Sequence, residues 1–308
     1  MASPLLVSVP GSSLRDALGD LPDGVELIEW DMASPPPTDT IDIVVPPYMG
    51  AIRALGALEG VTTRLVQSQS IGYDGVAEML PPGHRFANAA TVHETATAEL
   101  TLALILASQR GIPDFVRAAE RGEWAPARHP GLADQHVLII GYGGVGKAIE
   151  DRLLPFETTV ERVARTARHD ERGPIHGIST LPELLPFADI VIVAVPLSHA
   201  TEHLVDHRFL SLMPDGALLV NIARGRVADT DALLEHATSG RLRLALDVTD
   251  PEPLPTGHPL LALPNVLVSP HIGGATNAMM PRMARLLREQ IERMLRDESP
   301  LNVVLEAR

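Results

Sequence analysis

Hydrophobic residues along this chain follow two rhythms that keep exchanging places. Short apolar runs at residues 5–9, 25–29, 41–45 and 63–67 are separated by Gly, Pro and Asp turns, the pattern of strands bounded by turn residues. Between some of them, Leu14 to Leu18 and Gly50 to Leu58 carry helical spacing, so the first stretch reads as a small α/β unit. From His93 to Arg110 the pattern predicts one long helix with Leu100, Leu104 and Ala107 on its apolar face, and Pro113 then permits a second helix through Glu120. The alternation restarts at Gln135. Strands are predicted at about 159–163, 190–195, 217–221, 243–248 and 265–268, the number a doubly wound nucleotide domain requires. Asp229-Thr230-Asp231 predicts a helix start and Gly240 its end. Ala278 to Asp297 predicts a long amphipathic helix that crosses back to the first domain.

The restart at Gln135 carries the first chemical signal. Val137-Leu138-Ile139-Ile140 is a buried-strand run, followed by Gly141-Tyr142-Gly143-Gly144-Val145-Gly146 and a predicted helix from Lys147 to Leu154, stopped by Pro155. Glycines at this strand-to-helix junction permit a tight turn and let the backbone close on a pyrophosphate at the helix N-terminus. Gly141 to Lys147 also fits the first seven positions of a P-loop. That motif needs Ser or Thr next to hold Mg²⁺, and residue 148 is Ala, so a dinucleotide is favoured over a nucleoside triphosphate.

Three later strands each hand over to a reactive side chain. Val220-Asn221-Ile222-Ala223-Arg224-Gly225 follows the run from Ala217, Glu252 follows Leu242 to Val248, and His271 follows Asn265 to Val268. Ligands of open α/β sheets bind outside the carboxyl ends of the strands, so these three side chains are expected in one crevice. A guanidinium grips a carboxylate through two parallel hydrogen bonds, and an imidazole held by a carboxylate passes a proton near neutral pH.

Composition narrows the setting. At 308 residues, two domains are expected; with 45% hydrophobic residues and mean hydropathy +0.11, sizeable cores are available. Zero Cys excludes disulfides, thiolate nucleophiles and Cys-ligated metal sites and fits a reducing cytoplasm. Neither a basic leader nor an uncharged apolar run of membrane-spanning length is visible, so no membrane association is expected. The net charge of −14 argues against nucleic acid as a partner. Lys147 is the only lysine, which leaves arginine to bind anions; codon bias of the source genome accounts for that.

Together these residues resemble the D-isomer-specific 2-hydroxyacid dehydrogenase family over nearly the whole chain. Gly141 to Gly146 is similar to its cofactor loop, Val220 to Asp229 to its arginine signature, Ala245 to Pro255 to its glutamate segment and Ser269 to Gly274 to its histidine segment. Ser70 to Asp74 resembles the substrate-carboxylate loop, and Thr97 to Leu100 the start of the interdomain helix. The resemblance implies a two-domain α/β fold. A Rossmann-type parallel sheet, residues 96–276, is inserted in a smaller flavodoxin-like α/β substrate domain, residues 1–95 plus 277–308. It implies an NAD(P)-dependent oxidoreductase that reduces a small 2-keto acid, such as glyoxylate or hydroxypyruvate, to the D-2-hydroxy acid.

Roles follow by position. Arg224 would hold the substrate carboxylate and carbonyl oxygen, with backbone N–H groups of Ile71 and Gly72 completing the grip; Tyr48 and Met49, at the end of a strand facing the cleft, are read either as lining the substrate pocket or as ordinary packing. His271 would be the general acid in reduction, with Glu252 hydrogen-bonded to it and favouring its protonated form. Asp247 and the carbonyl of Ala223 would orient the nicotinamide carboxamide, and Val195, Pro196 and Gly273 would complete the cofactor site. Where an acidic residue would read the adenine ribose, this chain has Ala164, then Arg165 and Thr166. Loss of a carboxylate and gain of a guanidinium favour a 2′-phosphate, hence NADP(H) over NAD(H). A homodimer is expected by the same resemblance.

Three other readings stand beside this one. The same fold serves a non-catalytic NADP(H)-sensing regulator, though a sensor needs none of Arg224, Glu252 and His271. Dehydrogenation of another small anion, phosphite above all, is a second; formate-oxidising relatives carry Gln where this chain has Glu252. His199, His203 and His207 recur every four residues, a metal face if helical, but they follow a cofactor-side strand and do not form HExxH, so no metal is expected. Trp124, beyond the interdomain helices, is read either as a dimer contact or as a core or surface cap.

Overall fold

The computed structural model describes residues 3–307, which divide into two compact units. One runs to His93 and resumes at Ala275, and the other is Glu94–Gly274. These boundaries fall two residues before the expected ones at 95/96 and 276/277.

In the first unit, strands β1 (Leu5–Val9), β2 (Val25–Glu29), β3 (Ile43–Val44), β4 (Leu65–Gln67) and β5 (Phe86–Ala87) pair in parallel in the order 5-4-3-1-2. This is the flavodoxin-like order. Helix α1 (Ser12–Leu18) follows β1, whereas α2 (Ala51–Ala54) and α3 (Val76–Met79) are single turns. The expected helix over 50–58 is therefore half α-helix and half 3-10 helix, the latter from Leu55 to Leu58. One face of the sheet buries Val7, Ile43 and Leu65 against Leu14 and Leu18. The other buries Trp30, Ile41, Val44, Val66 and Phe86.

The second unit opens with α4 (Glu94–Gln109) and α5 (Ile112–Glu120). Its strands are β6 (His136–Ile140), β7 (Thr159–Ala164), β8 (Arg168–Asp170), β9 (Gly173–Gly177), β10 (Ile190–Val193), β11 (Leu218–Asn221), β12 (Arg243–Leu246) and β13 (Val266–Val268). They form an eight-stranded sheet in the order 13-12-11-10-6-7-9-8, parallel except for the β8–β9 hairpin. With the hairpin set aside, strand order reverses between β6 and β10, the switch point at which doubly wound sheets bind ligands. Both faces are apolar, as a helix-covered parallel sheet requires, and β10 is buried throughout as Ile-Val-Ile-Val. Helices α6 (Gly144–Leu153), α7 (Leu181–Leu184), α8 (His207–Leu212) and α9 (Thr230–Thr238) connect the strands. Asp229 caps α9, accepting from the N–H groups of Asp231 and Ala232.

The chain then returns to the first unit through α10 (Met279–Leu295), which buries Met283, Leu287 and Ile291 against α1 and the sheet. The final strand, β14 (Val303–Leu305), pairs antiparallel with β5. Among the described residues, no helix is long and apolar enough to cross a membrane.

Candidate functional site

The glycine loop sits at the switch point because only glycine fits there. Gly141 has φ +105°, and a Cβ on it would lie 2.4 Å from the carbonyl oxygen of Ala194, just beyond β10. A Cβ on Gly146 would lie 2.3 Å from the carbonyl oxygen of Gly141. The loop therefore closes on itself and against β10. Gly143 is the cap of α6 and makes no side-chain cap hydrogen bond, so the first N–H groups of the helix remain for an anion. The helix begins at Gly144, three residues before the expected start, which brings Gly144 and Val145 into its first turn. Val195 is buried, while Pro196 is exposed and its carbonyl accepts from the Thr201 hydroxyl at 2.6 Å. These groups fit a dinucleotide pyrophosphate: a cradle that any Cβ would fill, opening on an uncapped helix.

Tyr142 is placed differently from its neighbours. Its ring is buried and its hydroxyl donates to Glu150, a side chain with no exposed surface on α6. Glu150 also accepts from Arg162 Nε of β7 at 2.8 Å and pairs with Arg172 at 3.5 Å. Burial alone would raise the Glu150 carboxyl, but Arg162, the Tyr142 hydroxyl and Arg172 outweigh it and hold the group below the usual carboxylate range. The Tyr142 side chain thus braces the loop from within, which leaves only its backbone to face a ligand. Its carbonyl accepts from Arg168 Nη2 at 2.8 Å. Arg165 and Thr166, at the end of β7, are exposed, and the Arg165 guanidinium meets no acidic partner among the described residues. Arg168, which the sequence reading passed over, stands on the edge hairpin three residues further on.

The arginine segment leaves β11 through Asn221, whose side chain is buried. Its Oδ1 accepts from Ala223 N at 3.0 Å and its Nδ2 donates to Arg224 O at 3.1 Å, which fixes the turn. Arg224 is half-buried, with Nη1 donating to Ala223 O at 2.7 Å. The Ala223 carbonyl assigned to the nicotinamide thus already has one donor.

Asp247, at the end of β12, is 3% exposed. Its Oδ1 accepts from Ser269 Oγ at 2.6 Å and Ile272 N at 2.9 Å, and its Oδ2 from Gly273 N at 2.9 Å. A carboxylate offers about four acceptor positions, so one is left for a ligand. The three bonds wrap the loop that carries His271, which has φ +54° and whose own N–H donates to Asp247 O at 2.8 Å. A left-handed histidine costs of order 1 kcal/mol and persists only where its surroundings hold it. His271 Nδ1 lies 2.6 Å from Glu252 Oε1, with the two side chains 45% and 42% exposed. That pairing turns Nε2 outward as the ring nitrogen able to exchange a proton.

Arg224, Glu252 and His271 therefore leave the carboxyl ends of β11, β12 and β13, three adjacent strands. Gly225 seals two of the segments together: a Cβ there would lie 1.9 Å from the Thr249 carbonyl oxygen. Thr97 of α4 packs at the Gly273 backbone, 3.4 Å from where a Cβ would be. In the first unit, Ile71 and Gly72 lie in the loop after β4, and Tyr48 is half-buried and stacked on His93 at 5.7 Å between ring centroids. Met49 is exposed. His199 and His203 lie in turns and His207 opens α8, its Nδ1 3.4 Å from Glu235, so the three do not share a helix face. Trp124 is 96% exposed, not a core residue.

The fold and this sheet edge define a dinucleotide-dependent oxidoreductase class, and comparison with known proteins gives the family. The family profile "D-isomer specific 2-hydroxyacid dehydrogenase, NAD binding domain" matches residues 102–273. A glyoxylate reductase/hydroxypyruvate reductase of Homo sapiens is 34% identical over 295 residues, 89% of each chain. A glyoxylate reductase of Pyrococcus horikoshii is 34% identical over 254 residues, 78% of this chain and 76% of its own. The structure of a D-isomer specific 2-hydroxyacid dehydrogenase from Xanthobacter autotrophicus Py2, in complex with NADPH and MES, superposes with a TM-score of 0.81 at 28% identity, covering 99% of this chain and 98% of that one. This chain belongs to the D-isomer specific 2-hydroxyacid dehydrogenase family. It is an NAD(P)-dependent enzyme of that family.

Proposed function

We propose that the protein reduces a small 2-keto acid of the glyoxylate or hydroxypyruvate type to the D-2-hydroxy acid, with NADP(H) preferred over NAD(H). The observation that carries this reading is the His271–Glu252 pair at 2.6 Å on the same sheet edge as Arg224 and the glycine loop. A keto acid needs a grip for its carboxylate and a proton for its carbonyl oxygen, and this edge carries one group for each. Arg224 holds the carboxylate and polarises the carbonyl, with Ile71 and Gly72 contributing N–H groups and Tyr48 a wall. His271 gives the proton from Nε2 to the oxygen as it becomes a hydroxyl, and Glu252 stabilises the ring while it is charged. Asp247 keeps the His271 loop in register and offers its remaining lone pair, beside the Ala223 carbonyl, to the nicotinamide amide. The bound cofactor supplies the hydride that reaches the keto carbon.

Support for the substrate class comes from the relatives named as glyoxylate and hydroxypyruvate reductases. Support for NADP(H) comes from Arg165, exposed and without an acidic partner among the described residues, from Arg168 on the following strand, and from the relative solved with NADPH. A 2′-phosphate offers the charge-assisted, two-pronged bonding that guanidinium favours. We read the protein as a cytoplasmic homodimer, which sedimentation equilibrium tests. The reaction is tested by initial rates of NADPH and NADH oxidation against a panel of 2-keto acids, beside Arg224→Ala. Turnover that favours NADPH and collapses in the variant, while NADPH binding persists, is expected. Tight NADPH binding with no turnover of any keto acid would refute the assignment and favour a sensor; turnover of phosphite instead would move the substrate class.

A further inference from the structure

The two N–H groups assigned to the substrate carboxylate belong to a loop without regular secondary structure, so something must aim them. Among the described residues, neither Ile71 N nor Gly72 N meets an acceptor. Their carbonyl sides, in contrast, are anchored. Ser70 O accepts from Ala89 N at 2.9 Å, and Ile71 O accepts from the Asn88 side-chain Nδ2 at 2.9 Å. Neither peptide is cis, and a trans peptide points its N–H opposite to its C=O. Pinning the carbonyls of Ser70 and Ile71 toward residues 88 and 89 therefore turns the N–H groups of Ile71 and Gly72 away from them, side by side. Successive free N–H groups of this kind form an anion-binding concavity.

The first anchor is backbone, which any residue provides. The second is a side chain that the sequence had to choose. Asn88 is buried and held on every side: its Oδ1 accepts from Ala90 N at 3.2 Å, its N donates to Asn302 O at 3.0 Å, and its O accepts from Gln67 Nε2 at 3.0 Å. Acceptance from Ala90 N fixes which end of the amide is oxygen, and so fixes Nδ2 toward Ile71. Ser68 Oγ accepts from Ser70 N at 3.0 Å and steadies the entry to the loop.

We propose that Asn88 is a positioning residue for substrate, which sets the orientation of the Ile71–Gly72 peptide and thereby the affinity for the keto-acid carboxylate. The proposal rests on the reductase reading above. Asn88 does not touch substrate; it acts through one carbonyl. The informative exchange is Asn88→Asp, nearly identical in shape, which above its pKa places an acceptor against the Ile71 oxygen where a donor was. Protonation of the new carboxyl restores an O–H donor.

The experiment measures KM for glyoxylate, kcat and NADPH dissociation for wild type, Asn88→Asp and Asn88→Ala between pH 5 and 8. The expected result for N88D at pH 7.5 is a KM raised about tenfold or more, the range for a lost bond with an opposed acceptor, with NADPH dissociation unchanged. Relative to wild type at the same pH, that penalty should shrink as pH falls in N88D and stay constant in N88A. A merely structural role would lower the melting temperature without this pH-dependent recovery. An unchanged KM in both variants, or a penalty in N88D that ignores pH, would overturn the proposal. Absence of keto-acid turnover in wild type would instead overturn the reductase reading.

Discussion

Replacing Gly225 by alanine adds one methyl group beside the proposed carboxylate grip. Built on the present backbone, that carbon would lie 1.9 Å from the Thr249 carbonyl oxygen, 2.2 Å from its carbon and 2.8 Å from Asp250 N. Real Cβ atoms do not come within 3.0 Å of such neighbours, so one segment must retreat by about 1 Å. Neither is free to do so. The Arg224 side is tied by Asn221 Nδ2 to Arg224 O at 3.1 Å, and the other side by Thr230 Oγ1 to Asp250 O at 2.6 Å. Overpacking of this kind costs ~1–3 kcal/mol of stability. The functional cost is larger, because a misplacement of about 1 Å in a catalytic group costs roughly 100-fold in rate, or about 2.7 kcal/mol of transition-state stabilisation. The assay is kcat/KM for glyoxylate at a temperature well below the melting point, with NADPH dissociation measured in parallel by fluorescence. A roughly 100-fold loss with cofactor affinity nearly unchanged is expected, since the glycine loop follows β6, elsewhere along the sheet edge. Keto-acid kcat/KM within about threefold of wild type would refute the reasoning, for it would show that the 249–250 backbone does not set the position of Arg224.

Three further outcomes are expected. Asp247→Ala strands the N–H groups of Ile272 and Gly273 and the Ser269 hydroxyl, of which the Gly273 N–H is buried; at ~1–3 kcal/mol for that orphan and roughly 2–4 °C per kcal/mol, calorimetry should show a melting temperature roughly 2–12 °C lower, together with a lower kcat. Glu150 titrates below its ordinary value of 4.5 because of Arg162, the Tyr142 hydroxyl and Arg172, against the opposing effect of burial. Its stabilisation is therefore present above pH 4.5 and lost as pH falls through the lower folded value; Glu150→Gln should be less stable at pH 7 and lose less stability per pH unit below 4.5, and an unchanged acid-unfolding slope would contradict the assignment. Arg165→Ala should raise KM for NADPH by roughly 10- to 100-fold, the loss of one charge-assisted contact of about 1.5–3 kcal/mol, and leave KM for NADH unchanged; equal effects on both cofactors would remove the 2′-phosphate role.

What the sequence made legible was whatever repeats or must be a particular residue. The β10 run of four buried aliphatic residues has one reading, because burial on both faces leaves no other, whereas the glycines after β6 mark a tight turn whose spacing alone also fits a P-loop. Short elements were not legible. β5 and β8 have two and three residues, and β8 exists only because the hairpin folds back on β9, a tertiary event without a period of its own. His199, His203 and His207 carry a helical spacing, yet the helix starts only where Asp206 caps it, accepting from Phe209 N at 2.7 Å. Side-chain direction was equally hidden. Tyr142 lies in a loop of glycines with nothing in its neighbourhood to show that its hydroxyl turns inward to Glu150. Asn221 left a trace, an amide at the end of an apolar strand, while Asn88 left none beyond a polar residue after Phe86-Ala87.

The chain has two tryptophans, one in each unit and in opposite environments. Trp30 is 3% exposed in the core of the first unit, whereas Trp124 is 96% exposed in the second. Intrinsic fluorescence therefore splits into two resolvable emitters. A blue component resistant to acrylamide reports the integrity of the first unit, and a red, readily quenched one comes from the second. Loss of the blue component during a denaturant titration, compared with loss of NADPH binding, would show without any label whether the two units melt together or in sequence.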